Sequence, residues 1–203
     1  METSNSNKPC NLNRNFDLDA ESADLGYSLS QRRLSLSGCQ GELEKIHQLS
    51  NRIKEVLPFV SLTTERSRRE ILVAPIVTEV IHYTQAQLRI EYSLRISGQP
   101  YQAINYLLRT ENQIFTIQTV EEDANNCGIE KLAAAMTALD QWSHTPKQST
   151  LLGAVTTGTV WRFACFHRVS RHIDLGLESY LIPNDIEPLM RILINALYPA
   201  DYE

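Results

Sequence analysis

From Leu88 to Ile96 the chain alternates, with Leu88, Ile90, Tyr92, Leu94 and Ile96 set against Arg89, Glu91, Ser93 and Arg95. A period of two predicts a strand with one buried face. Ser97-Gly98-Gln99-Pro100 breaks it with turn chemistry, and two more strands follow over Ala103 to Arg109 and Ile114 to Val120, parted by Thr110-Glu111-Asn112-Gln113. Elsewhere the spacing is helical. Leu43, Ile46, Leu49, Ile53 and Val56 form one stripe, ended by Leu57-Pro58. Thr63 or Thr64 can cap a second helix in which Ile71, Leu72, Ile76 and Val80 face inward and Pro75 bends the axis or removes one hydrogen bond. Ile129, Leu132, Met136 and Leu139 mark a central helix reaching Trp142. Ile186, Leu189, Met190, Leu193, Ile194 and Leu197 mark the last helix, where Asn184 and Glu187 read as a capping box and Pro188 sits in the first turn.

With a hairpin through Leu151 to Phe163 and a short strand near Ser179 to Ile182, this order predicts an α/β fold, a mixed central sheet of about five to six strands flanked by helices. The connection from Val120 to Leu151 contains a helix, so the strands that it joins are expected to be parallel. Residues 1–40 hold Ser, Asn, Asp and isolated Leu without a sustained period, which predicts a disordered polar tail ahead of a domain over 41–203. Within that tail, Tyr27 to Leu36 is a candidate docking segment, and Ser35, behind Arg32-Arg33, a candidate phosphorylation site.

Composition narrows the class. A chain of 203 residues, 42% hydrophobic and 21% charged, suits one domain with a sizeable core. It has no apolar run long enough to span a bilayer and no apolar block near the N-terminus, so a cytoplasmic protein without a membrane partner is expected. Cys10, Cys39, Cys127 and Cys165 lack C-x-x-C spacing and the five histidines add no ligand pair, which argues against a zinc site. Cys165, alternating with Trp161 and Phe163, reads as a reduced core thiol.

Strand geometry also gathers a candidate site. Thr119 and Glu121 share a side, Asn105 on the neighbouring strand lies beside them, and Glu121-Glu122-Asp123 form an acidic run at the strand exit. The stretch Phe115 to Trp142, FTIQTVEEDANNCGIEKLAAAMTALDQW, resembles the core of the PD-(D/E)XK superfamily, the restriction-endonuclease-like fold, in its bacterial stand-alone and type I restriction-like branch. Gly128 with the helix Ile129 to Trp142, and Leu151 to Gly158 followed by Trp161 and Phe163, match the register of that branch; the likeness runs from about Thr64 to Leu197. Carried over residue by residue, the resemblance puts the family's Asp on Asn105, its Glu on Thr119, its Lys on Glu121 and its helical Gln on Lys131. In such nucleases the acids hold Mg²⁺, which activates water and neutralises the scissile phosphate, while the Lys meets the developing anion. A neutral carbonyl, a hydroxyl and a carboxylate in place of the cation do not supply that machinery.

The resemblance therefore implies a degenerate site with no cofactor and no metal, and a non-catalytic interaction or regulatory module with a protein partner. The alternative is a Mg²⁺-dependent nuclease rebuilt on Glu121 and Asp123, with Lys131 restoring the cation. Two basic groups, Arg66, Arg68 and Arg69, and Arg162, Arg168 and Arg171 beside His167 and His172, are candidate nucleic-acid or partner contacts. A net charge of −5 weighs against a dedicated nucleic-acid binder.

Overall fold

The computed structural model describes residues 27–94, 102–121 and 127–198. Among these, eight strands build one open mixed sheet: β1 (Ser28–Arg32), β2 (Gln87–Leu94), β3 (Gln102–Arg109), β4 (Ile114–Thr119), β5 (Thr150–Thr156), β6 (Val160–His167), β7 (His172–Gly176) and β8 (Tyr180–Leu181). The spatial order is β1-β7-β6-β5-β4-β3-β2, with β8 paired separately to β6. The helices are α1 (Ile46–Val56), α2 (Glu65–Arg68), α3 (Ala74–Thr84), α4 (Cys127–Gln141) and α5 (Ile186–Leu197). The α/β class is as expected, but the sheet is wider than five to six strands, because β1 and β7 were not counted. No helix among the described residues is long and apolar enough to cross a membrane.

Two cores lie on opposite faces of the sheet. One gathers α1, α3 and α5 around Phe115, Ile117, Trp161 and Phe163; the other packs α4 through Ile129, Leu132, Met136 and Leu139 onto Leu107, Ile114, Leu151 and Phe166. α4 is the crossover between β4 and β5, which run parallel in the register Phe115↔Leu152 to Thr119↔Thr156, as its presence in the connection predicts. α4 approaches the sheet closely: a Cβ built on Gly128 would come within 2.8 Å of Val155 and 2.9 Å of Val120.

Three local features differ from expectation. The first helix begins at Ile46, with Leu43 packed against the core ahead of it. Pro75 lies at the start of α3, directly after a change in helical pitch. Arg69–Val73 form a π-helical turn in which Ala74 N–H bonds to Arg69 O, and this extra residue accommodates a proline that cannot donate. At the start of α5 the capping residue is Asp185, without a side-chain cap; Glu187 pairs with Arg191 at 3.0 Å, so the Asn184–Glu187 capping box does not form. The loss is affordable because a cap is worth about 1 kcal/mol, whereas each buried apolar side chain of α5, from Ile186 to Leu197, contributes roughly 1.5–3 kcal/mol. Thr64 does cap α2, in a box with Ser67.

The expected tail needs correction from residue 27 onward; residues 1–26 lie outside the described residues. Ser28–Arg32 pair in parallel with β7, from Ser28↔His172 to Arg32↔Gly176. Tyr27 packs on Phe166 with ring centroids 5.2 Å apart, and further along Cys39 N–H donates to Arg191 O at 3.0 Å. The folded unit thus starts no later than Tyr27, not at 41. Ser35 is exposed in the connection after β1.

β2 is the second correction. Leu88 packs with the α1/α3/α5 core while Tyr92 and Leu94 belong to the α4 core, so the strand does not bury a single face. Between them Glu91 adopts φ +50°, a left-handed conformation that reverses the alternation. On β3 the same switch separates Ile104 from Tyr106. Turn chemistry at Ser97 to Pro100 lies outside the described residues.

Candidate functional site

The switch in β2 and β3 shapes the candidate site. The β3–β4 ladder ends at Tyr106↔Ile117, and beyond it side chains replace the backbone pairing. Asn105 Oδ1 accepts from Thr119 N–H at 3.0 Å, and Gln118 Nε2 donates to Ala103 O at 3.1 Å. Asn105 Nδ2 donates to Glu91 Oε1 at 3.3 Å, and the Thr119 hydroxyl donates to Glu65 on α2. Arg69 closes the group, 2.5 Å from Glu91 and 3.9 Å from Glu65. The left-handed turn at Glu91, which costs a non-glycine residue about 1 kcal/mol, is offset by the contacts it gives that carboxylate.

Glu121 sits just past the end of β4. Its carboxylate accepts from Arg68 Nη2 at 2.9 Å, while Arg68 Nε donates to Thr157 O at 2.7 Å and Nη1 to Leu62 O at 2.9 Å. The Arg68 side chain is 2% exposed and that of Glu121 63%. A guanidinium offers a fork of fixed donors, and here it ties α2 to the β5–β6 turn and to the strand exit. That turn is built for it: Gly158 has φ +99°, and a Cβ there would come 2.7 Å from Arg68 Cβ. Gly158→Ala is expected to lower stability by about 2–3 kcal/mol through backbone strain and this collision, read as a shifted urea midpoint at constant slope.

Around this point the electrostatics lean negative. Burial pushes the Tyr106 phenol up to about 12, opposed by Arg69 and reinforced by Glu70, Glu91 and Glu65. On the α4 side of Glu121 lies a cavity of about 240 Å³ lined by Val120, Gly128, Ile129, Val155 and Arg162 among others. Lys131 is exposed on α4, and Glu122 and Asp123 lie outside the described residues. Among the described residues no three His, Cys, Asp or Glu are arranged to hold a metal ion.

The basic residues do not form one surface. Arg68 is internal as described. Arg168 bonds Asp140 at 2.6 Å and the carbonyls of Pro146 and Gln148 at 3.0 Å each, so it cross-links the α4–β5 connection. Arg162 donates to Gly176 O at 3.0 Å, Arg171 lies 5.9 Å from the Tyr27 ring centroid, and Arg66 is exposed on α2.

A second polar cluster takes in His167 and His172 of the basic group, with partners that sequence reasoning did not bring to them. Asp174 on β7, with a side chain 2% exposed, receives Ser30 Oγ at 2.9 Å and lies 3.1 Å from His172 Nε2, 2.7 Å from His167 Nε2 and 2.9 Å from Arg32 Nη2. Ser28 Oγ lies 2.6 Å from His172 Nδ1. Burial pushes the Asp174 carboxyl up, but hydrogen bonds from His167 and Ser30 and the charges of Arg32 and His172 outweigh it and hold it below its ordinary value. Cys165, its cross-strand partner, is not in the apolar core with Trp161 and Phe163; burial and then Asp174 raise its thiol to about 11, with Arg32 opposing. The signal was present in the alternation Ser28-Leu29-Ser30-Gln31-Arg32 and in His172-Ile173-Asp174. Nothing local says that the first pairs with the second, about 144 positions away in sequence.

Compared with known proteins, the chain matches no protein-family model and no curated protein.

Proposed function

We propose that this protein is a non-catalytic derivative of the PD-(D/E)XK scaffold, a cytoplasmic module that works by binding a protein partner. The observation that supports the reading most is the use already made of the relevant side chains. Asn105 Oδ1 holds a backbone N–H, the Thr119 hydroxyl holds Glu65, and Glu121 faces Arg68. A divalent cation needs carboxylate oxygens that converge and are free of competing donors. Here one position is a neutral amide, one a hydroxyl, and the carboxylate is paired with a guanidinium. Free thiols at Cys39 and Cys165 fit a reducing compartment. The internal roles of Arg68 and Arg168 and the pairing of Arg69 with Glu91 leave Arg66, Arg162 and Arg171 for any contact with a polynucleotide, consistent with weak binding at most.

The test is cleavage of single- and double-stranded DNA and RNA with Mg²⁺ or Mn²⁺. No turnover is expected from the wild-type chain, and Glu121→Ala should leave the result unchanged. Cleavage that requires divalent metal and disappears in Glu121→Ala would overturn the proposal in favour of the nuclease built on Glu121, Asp123 and Lys131.

A further inference from the structure

Strand β1 closes one end of the sheet and, among the described residues, has a neighbour on one side only, β7. Ser28 N–H donates to Arg171 O at 3.0 Å and Leu177 N–H donates to Arg32 O at 3.1 Å, so Ser28 and Arg32 turn their backbone groups to β7. Successive residues of a strand turn N–H and C=O to opposite sides, so Ser30 points to β7 as well, while Leu29 and Gln31 point outward. The two faces beside this edge are unlike. Tyr27 and Leu29 lie with the α4 core, whereas Ser28, Ser30 and Arg32 lie with His172 and Asp174. A strand that completes the edge must therefore be apolar at alternate positions and polar between them. Residues 1–26 carry no sustained period as a whole, yet within them Asn11-Leu12-Asn13-Arg14-Asn15-Phe16-Asp17-Leu18-Asp19 alternates in this way, with Arg14 as the one exception on the apolar side.

We propose that the outer edge of β1 is a strand-docking site whose occupant is residues 11–19 of this chain, laid antiparallel to β1. Residues 20–26 lead directly into Tyr27 and supply the reversal, a connection whose closure costs little. The register that fits sets Leu18 opposite Tyr27, Phe16 opposite Leu29 and Arg14 opposite Gln31 on the α4 face. On the other face it sets Asp17 opposite Ser28, Asn15 opposite Ser30 and Asn13 opposite Arg32. Apolar residues then meet apolar ones, no like charges stand directly opposed, and Phe16 and Arg14 exchange backbone hydrogen bonds with the outward groups of Leu29 and Gln31. Charge agrees with this placement: Asp17 and Asp19 come to the end of β1 where Arg171 is exposed, its guanidinium 5.9 Å from the Tyr27 ring centroid. Because the segment is tethered to the strand it covers, docking is intramolecular and dilution does not weaken it. A partner that adds a strand at this edge must first displace residues 11–19, so the segment is a resident competitor for the site. The docking holds whether or not the scaffold derives from a nuclease.

Amide exchange of the full-length chain, followed residue by residue by NMR, tests this, because the outward N–H groups of Leu29 and Gln31 are protected only where a strand covers them. In the wild-type chain both are expected to be protected, to the same degree at high and low protein concentration. Phe16→Pro removes a pairing donor and the apolar ring, and should speed exchange at Leu29 and Gln31 by at least about tenfold. Ser30 and Arg32, whose amides face β7, should change far less, which separates loss of docking from unfolding of β1. Phe16→Asp keeps the N–H and removes only the apolar match, and should act in the same direction. Free exchange at Leu29 and Gln31 in the wild-type chain, protection that Phe16→Pro leaves intact, or protection that fades on dilution and so comes from a second copy, would overturn the proposal.

Discussion

Replacing Arg68 with methionine is expected to lower the unfolding free energy by about 3 kcal/mol, far more than removing its charged partner. Methionine keeps much of the side-chain volume, so the loss reports the polar contacts. Two of these are the carbonyls of Thr157 and Leu62, which the 2% exposed Arg68 side chain meets at 2.7 and 2.9 Å. Leaving a buried carbonyl unsatisfied costs about 1–3 kcal/mol. Glu121, by contrast, is 63% exposed and water can replace Arg68 at its carboxylate. Glu121→Gln should therefore cost under about 1 kcal/mol. Urea unfolding of both variants separates the two roles. A loss for Arg68→Met no greater than that for Glu121→Gln would mean that the ion pair, and not the carbonyl anchoring, holds α2 to the end of the sheet.

Asp174→Ala is expected to cost about 3–4 kcal/mol at neutral pH, because the substitution removes the anion shared by Arg32, His167, His172 and Ser30. The dependence on pH gives this prediction its sign. The folded carboxyl lies below its ordinary value of about 3.8, so its contribution is complete above that value and is lost as pH falls through the lower, folded value. Wild type and variant should differ by a constant amount above about pH 4 and converge only as pH falls on through the lower, folded value. Denaturant melts at several pH values check it. A gap that persists unchanged into strong acid would show that the variant fails through packing alone.

Most helices were legible, and the reason is local. Ile186, Leu189, Met190, Leu193, Ile194 and Leu197 repeat at helical spacing whatever they pack against, and α5 buries all of them. The parallel pairing of β4 with β5 followed from a helix in their connection. The neighbourhood of Asn105 and Thr119 was legible too, since period-two strands in a meander bring those positions together, and the structure places Asn105 Oδ1 3.0 Å from Thr119 N. The role of Asn105 was not, because a side chain that substitutes for a ladder hydrogen bond can be recognised only where the ladder stops.

By itself, the sequence determined the class of fold, most of the helices, the central meander and the nearness of Asn105 to Thr119, whereas Glu121 turns to Arg68 and the partners Glu65, Glu91 and Arg69 came from the fold. Periodicity and turn chemistry act over a few residues and survive in any tertiary setting. Only the folded chain decided that Ser28–Arg32 is a strand, that Glu91 turns left-handed so β2 and β3 change faces, and that Arg68 is buried while Arg66 is exposed. Each of these depends on a partner distant in sequence: β7 for the strand, Arg69 and Asn105 for Glu91, the β5–β6 turn for Arg68. A pattern of neighbours cannot encode which remote group will satisfy a donor; packing and hydrogen-bond satisfaction in three dimensions do.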